Sequence, residues 1–215
     1  MKTMVVDQTC FGAIVGSGVE AFPRETMGFL IGKSDCDFVD GILKKVMRVT
    51  MALPLKKIEQ STTHVSISNY DSYNKTRNAL DVLGFEIVGE YHSHPIQDMD
   101  WMEEVDEQRG LSGNDKKFIR GGLKTLRKHN IKQEEWLEMV VTIGRKTYQT
   151  IHPIGWTPLK STRNRPIPPL IGGRLKFSKK LGKDVSKYGY TIIISGFRGK
   201  LKKDQLKVVR VDLRV

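Results

Sequence analysis

The sequence predicts a mixed α+β protein with a basic, β-rich C-terminal extension, and three observations predict it. Helix-length and strand-length apolar patterns follow one another without a strict βαβ rhythm. With 39% hydrophobic and 28% charged residues, the composition is that of an ordinary globular chain and excludes a wholly disordered or collagen-like one. The formal charge of +12 is divided very unevenly. Residues 1–155 hold 20 Lys/Arg and 21 Asp/Glu, a net of −1, whereas residues 156–215 hold 16 Lys/Arg against Asp184, Asp204 and Asp212, a net of +13. The break falls in a stretch broken up by Pro153, Pro158, Pro166, Pro168, Pro169, Gly172 and Gly173. A length of 215 residues suits one well-cored domain with an appendage or two small domains. The expected division is a body over 1–155 and a basic extension over 156–215.

Taken in order, residues 9–21 predict a helix weakened by Gly12, Gly16 and Gly18. MGFLIG (27–32) has the length of a buried strand, and residues 37–54 suggest a hairpin-like pair ending at Pro54. Residues 66–83 predict a helix with Ser68 or Asn69 as cap and Tyr73, Leu80 and Leu83 on one side. FEIVGEYHSH (85–94) predicts a strand that Pro95 terminates. Ser112 precedes a helix with Phe118, Ile119, Leu123 and Leu126 as its apolar stripe, and with Gly121 and Gly122 as a blemish. WLEMVVTI (136–143) and TYQTIHPI (147–154) predict two strands around a turn at Gly144–Lys146. In the extension, TIIISGF (191–197) and LKVVRVDLRV (206–215) suggest a small strand pair.

No apolar run reaches membrane-spanning length, so no membrane association is expected. Asp7 and Glu20 argue against reading the N-terminal residues as a secretion signal. Cys10 and Cys36 are too few for a disulfide framework, which makes the cytoplasm the default location.

The chemistry concentrates at His92-Ser93-His94-Pro95. Residues two apart on a strand project from one face, so both imidazoles can converge on a single metal ion. Ser112-Gly113-Asn114-Asp115 offers a carboxylate at a helix start as a third ligand, although Ser-x-x-Asp is also an ordinary capping arrangement. A His, His, Asp set leaves a fourth tetrahedral position for water, whose pKa zinc lowers to roughly 7. Spacing alone does not pick a base from the chain's 11 glutamates, and His64, His129 and His152 carry no partner pattern.

ETMGFLIGK (25–33), then VGEYHSHP (88–95), then LSGND (111–115) resembles the JAMM (MPN-plus) metalloprotease family, in which a glutamate precedes a Met/Cys-Gly-Leu-like strand, followed by His-Ser-His-Pro and Ser-x-x-Asp. The resemblance covers roughly residues 5–152. It implies a mixed, curved β-sheet packed between helices, of the cytidine-deaminase-like type. It also implies Zn2+ held by His92, His94 and Asp115, with Glu25 as general base and then general acid, and Ser112 steadying the oxyanion. The expected activity is hydrolysis of isopeptide or peptide bonds at the C-terminus of a ubiquitin-like protein or its conjugates. The alternative is a non-catalytic module of this fold that binds nucleic acid or a protein complex through its basic tail.

One departure separates the chain from the family pattern. Asp115 lies 21 residues after His94, and strict family spacing would favour Asp106, 12 after; the local sequence LSGND favours Asp115. The resulting insertion, 96–111, carries Asp98, Asp100, Glu103, Glu104, Asp106 and Glu107. It reads as a solvated loop, a substrate-gripping flap, or a source of a carboxylate near the metal. The extension of 156–215 can attract an acidic protein or nucleic acid, but it carries no recognised nucleic-acid-binding signature.

Overall fold

The computed structural model describes residues 3–56, 58–63, 65–67, 70–96, 110–128, 135–147, 155–158, 171–181, 184–203 and 205–215. Their architecture is a mixed α+β fold built on a curled sheet of ten strands in the order β12-β1-β3-β2-β6-β7-β10-β9-β8, with β11 paired to β10. β1 (Thr3–Val6) leads into helix α1 (Gln8–Ala21), and then come β2 (Met27–Val39) and β3 (Ile42–Pro54). A two-stranded sheet, β4 (Ile58–Gln60) with β5 (Val65–Ile67), precedes α2 (Tyr70–Val82) and β6 (Ile87–Ile96). Helix α3 (Gly113–Lys128) is followed by β7 (Glu135–Thr147), β8 (Gly155–Pro158), β9 (Ile171–Leu181), β10 (Asp184–Lys202), β11 (Gln205–Arg210) and β12 (Asp212–Arg214). No helix among the described residues is long and apolar enough to cross a membrane.

The hairpin-like pair expected over 37–54 forms and ends at Pro54, but it is longer, because its first arm is the whole of β2 from Met27 and its second is β3. Asp40 (φ 55°) and Gly41 (φ 75°) both take positive φ, the geometry of a tight two-residue hairpin turn, for which Asp-Gly is a favoured pair. The helix expected over 66–83 begins only at Tyr70, since Val65–Ile67 pairs as β5. Ser68 and Asn69 lie outside the described residues. Tyr73 and Leu80 pack inward, whereas Leu83, past the helix end, is 69% exposed.

Pro95 does not end β6. The β2 ladder stops at His92, and Ser93 N–H still bonds toward that side, to Thr26 O. By alternation Pro95, which has no N–H, faces the same side beyond the ladder, so the strand continues to Ile96 on its β7 flank at no hydrogen-bonding cost. β6 is therefore a central strand and not a sheet edge. The turn expected at Gly144–Lys146 is also absent: those residues pair with Thr191–Gly189 of β10, and β7 runs on to Thr147. The histidines His64, His129 and His152 and the rest of TYQTIHPI lie outside the described residues.

The extension contributes far more than a small strand pair. β10 lies between β7 and β9, and β12 pairs in parallel with β1 at the opposite end of the sheet order. Tyr190, Ile192, Ile194, Val211 and Leu213 share one core with Met4, Ile14, Leu30 and Val141.

The two faces of the sheet carry different layers. α1 covers the face bearing Val141 and Ile143. The other face bears Phe29, Glu90, His92 and His94, and with them Trp136, Glu138 and Val140 of the parallel neighbour. On that face α2 packs through Tyr73 and Leu80 onto Phe29 and Ile31, and α3 packs through Ile119 and Leu123 onto Trp136 and Leu201. Ile119 lies against Gly199, where a β-carbon would leave no room for it, so the small residue lets the helix approach the sheet closely. Between α2 and α3 the sheet is left open, and that gap is where the chemistry gathers.

Ile119 is fully buried and anchors α3 one turn after Asp115. Ile119→Ala is expected to lower the unfolding free energy by about 2–5 kcal/mol. A urea-denaturation midpoint equal to that of the unaltered protein would contradict this packing.

Candidate metal centre

The cleft between α2 and α3 has a volume of about 510 Å³, and Glu25, Glu90, His92, His94, Ser112, Asp115 and Glu138 all line it. Each arrives for a local reason. His92 and His94 alternate onto the same face of β6. Asp115 sits in the first turn of α3, held there by a reciprocal cap: Ser112 N–H donates to Asp115 Oδ2 at 2.6 Å, and Asp115 N–H donates to Ser112 Oγ at 3.1 Å. Both readings of Ser-x-x-Asp therefore meet in one motif, because the cap that starts the helix also aims the carboxylate.

His92 Nε2 lies 2.9 Å from His94 Nε2 and 3.5 Å from Asp115 Oδ1, and His94 Nε2 lies 4.0 Å from Asp115 Oδ2. Ligands about 2.0–2.1 Å from a tetrahedral centre stand about 3.4 Å from one another, so this triangle has the right size for one ion. His92, His94 and Asp115 are also the group among the described residues whose donor atoms all fall within 4.8 Å of each other. The donor set, two imidazoles and a carboxylate, suits zinc or a similar borderline ion. Charge makes the same point. The described lining of the cleft includes four carboxyls (Glu25, Glu90, Asp115 and Glu138) and neither lysine nor arginine.

Glu25 stands in the short segment between α1 and β2, and it is only 8% exposed. Its own N–H donates to Ser61 O at 2.8 Å. The next residue is clamped to the ligand strand: Thr26 N–H donates to Ser93 Oγ at 2.9 Å, and Ser93 N–H donates to Thr26 O at 2.8 Å. Ser17 and Tyr91 extend this buried network from α1 and β6. The serine between the two histidines thus ties Glu25's segment to the strand that carries them.

Burial pushes the Glu25 carboxyl up to about 7, with His92 opposing and Asp115 adding to the rise. Burial disfavours a charged His92, but bonds and charges from Asp115 and Glu138 outweigh it and raise the imidazole to about 10. Asp115 is held well below the usual carboxylate range in spite of its burial, by His92 and Ser112. Burial pushes both Glu90 and Glu138 upward, and Glu138 adds to the rise at Glu90.

Sequence reasoning missed Glu90, Glu138 and Tyr73. Glu138 is 3% exposed and its Oε1 lies 2.8 Å from His92 Nδ1; Glu90 is 1% exposed and its Oε1 accepts from Tyr73 O–H at 2.7 Å. A signal existed for both acids. Glu138 is the one charge inside the apolar run WLEMVVTI, and Glu90 lies two residues before His92 and hence on its face. Asp98, Asp100, Glu103, Glu104 and the alternative ligand Asp106 lie outside the described residues.

Between Glu25's ordinary value of 4.5 and about 7, the folded protein holds a proton there that the unfolded chain releases, so this group's contribution to stability falls as pH rises through that window. In chelator-treated protein, Glu25→Gln is expected to gain stability relative to the unaltered chain on going from pH 5 to pH 8, read from paired urea midpoints. A difference that stays constant with pH would contradict the buried placement.

Residues 7–98, which are 92 of the 215, match the family model described as prokaryotic homologs of the JAB domain. The matched stretch includes Glu25, His92 and His94 and stops short of Ser112 and Asp115. No curated protein matches the chain. Among solved structures, the solution structure of protein DSY2949 from Desulfitobacterium hafniense is 14% identical, with 98% of this chain and 92% of that one covered and a TM-score of 0.46. The mixed α+β architecture, with its curled sheet and three described helices, is consistent with the JAB/MPN fold, and over residues 7–98 the sequence is similar to the prokaryotic JAB homologs.

Proposed function

We propose that this chain is a zinc-dependent hydrolase that cleaves peptide or isopeptide bonds at the C-terminus of ubiquitin-like modifiers. The observation that carries the reading is that Glu25, buried and with its carboxyl in the same cleft, stands with His92, His94 and Asp115, whose donor atoms converge. The similarity of residues 7–98 to the JAB homologs supports it. Held by those three residues, zinc would supply Lewis acidity and an acidified water.

The chain's own groups perform the proton work. Glu25, lining the cleft beside the three donors, takes a proton from the attacking water and passes it to the leaving amine. In this reading Ser112, whose oxygen accepts from Asp115 N–H, still has its own hydroxyl proton to donate to the oxyanion. Asp115 is fixed by its cap and does not need to reorganise during the reaction. The open cleft suits an extended tail ending in small residues, and β5, whose Val65–Ile67 line one side, offers a strand for such a tail to pair with. The charge of residues 156–215 supports the docking there of an acidic partner, protein or nucleic acid, as part of the same proposal.

Glu25→Gln is expected to retain zinc while cleavage of a ubiquitin-like protein carrying a C-terminal fluorescent amide falls by about 10²–10⁴-fold. Cleavage that survives the substitution undiminished would overturn Glu25's role.

A further inference from the structure

We propose that Glu138 is a positioning residue for the metal centre: it takes a hydrogen bond from His92 Nδ1 and thereby locks the imidazole with Nε2 turned toward His94 and Asp115. The inference rests on the reading of His92 as a metal ligand and not on hydrolysis.

The geometry that carries it is the parallel pairing of β6 with β7. Glu90 stands in register with Glu138, and His92 with Val140, so Glu90, His92 and Glu138 share one face in adjacent positions. Glu138 Oε1 lies 2.8 Å from His92 Nδ1, and both residues are buried. With an ion bound, a carboxylate at Nδ1 would keep the ring proton there and leave the Nε2 lone pair for the metal; Nε2 already faces the cleft, 2.9 Å from His94 Nε2 and 3.5 Å from Asp115 Oδ1. Without a partner at Nδ1 the imidazole could turn over or take the other tautomer, and either change would withdraw a ligand.

The fold accepts a cost for this arrangement. Taking a carboxylate out of water is costly unless it is paired, and apolar replacements are commonly no less stable. Here two carboxyls are buried side by side. Glu90 is bonded through Oε1 to the Tyr73 hydroxyl on α2, which leaves Glu138 as the acid bonded to His92. Among the described residues Glu90 Oε2 has no hydrogen-bond partner, whereas Glu138 is also steadied by the Trp136 side chain. A pair assembled for stability alone would not set two buried carboxyls side by side with an oxygen left unsatisfied. A carboxylate on the far nitrogen of a ligating histidine raises the ligand's basicity and fixes its ring, and losing such a partner typically weakens metal binding by about 10–100-fold.

The test compares Glu138→Gln with Glu90→Gln by competing each protein for zinc against a chromophoric chelator, alongside urea midpoints of the chelator-treated proteins. Glu138→Gln is expected to weaken zinc binding about 10–100-fold without lowering the midpoint. Glu90→Gln is expected to weaken zinc binding much less than Glu138→Gln does, because Glu90 is bonded to Tyr73 and not to His92. Unchanged affinity in Glu138→Gln, or equal losses in the two variants, would overturn the proposal. If Glu138→Gln fails to fold, the ¹⁵N shifts of His92 in the zinc-loaded unaltered protein decide: a proton on Nδ1 with metal on Nε2 supports the assignment, and the opposite tautomer overturns it. An unaltered protein that takes up no zinc overturns it together with the ligand set, whereas one that binds zinc but cleaves nothing removes only the hydrolase reading.

Discussion

Four carboxyls and two imidazoles drawn into one cleft, with no lysine or arginine among its described lining residues, create the constraint around which the site is organised. Like charges at such separations cannot all be carried in a poorly solvated place. In the protein without an ion, protonation relieves the strain: Glu25, Glu90 and Glu138 rise above the usual carboxylate range and His92 rises above the usual imidazole range. A divalent cation relieves it at a single point, among the three donors that already face one another. The metal reading therefore has a physical warrant in this chain, separate from its likeness to any family.

The sheet meets this constraint by economical means. One central strand supplies Glu90, His92 and His94 by simple alternation, and its parallel neighbour supplies Glu138 beside them. On the other side, the two bonds between Thr26 and Ser93 fasten Glu25's segment to the strand that bears His92 and His94. Asp115 comes from α3, whose position depends on Ile119 and Leu123 packing against Trp136 and Leu201. Part of that seat is built by β10, so the basic extension contributes to holding Asp115 in place although none of its own described residues lines the cleft.

The legible part of the sequence is the local part. Alternation on a strand and a Ser-x-x-Asp helix start are short-range patterns that bring out His92, His94 and Asp115 as candidates, and the resemblance of LSGND to the family's local sequence is what sets Asp115 ahead of Asp106. Glu25 has no local signature and is reachable only through resemblance, because its place depends on Thr26 pairing with a residue 67 positions away. Glu138 and Glu90 are visible as charges in apolar or site-facing positions, but their meaning depends on the register of β6 against β7, which no local pattern encodes. The same limit explains the turn expected at Gly144–Lys146 and the strand end expected at Pro95, neither of which forms. In both places a breaker residue is tolerated because of what pairs, or does not pair, on one side of the strand. The 19-residue β10 is underestimated by its sequence because its first half, DVSKYGY, has no clear apolar rhythm and is held by β9.

The central claim is that His92, His94 and Asp115 hold one divalent ion. The most direct measurement is the metal content, by mass spectrometry, of protein purified without added zinc and again after equilibration with zinc, for the unaltered chain and for Asp115→Asn. The account predicts one ion per chain in the unaltered protein, zinc after equilibration, and its loss in the variant. An unaltered protein that stays metal-free in both preparations, or a variant that binds zinc as tightly, would contradict it.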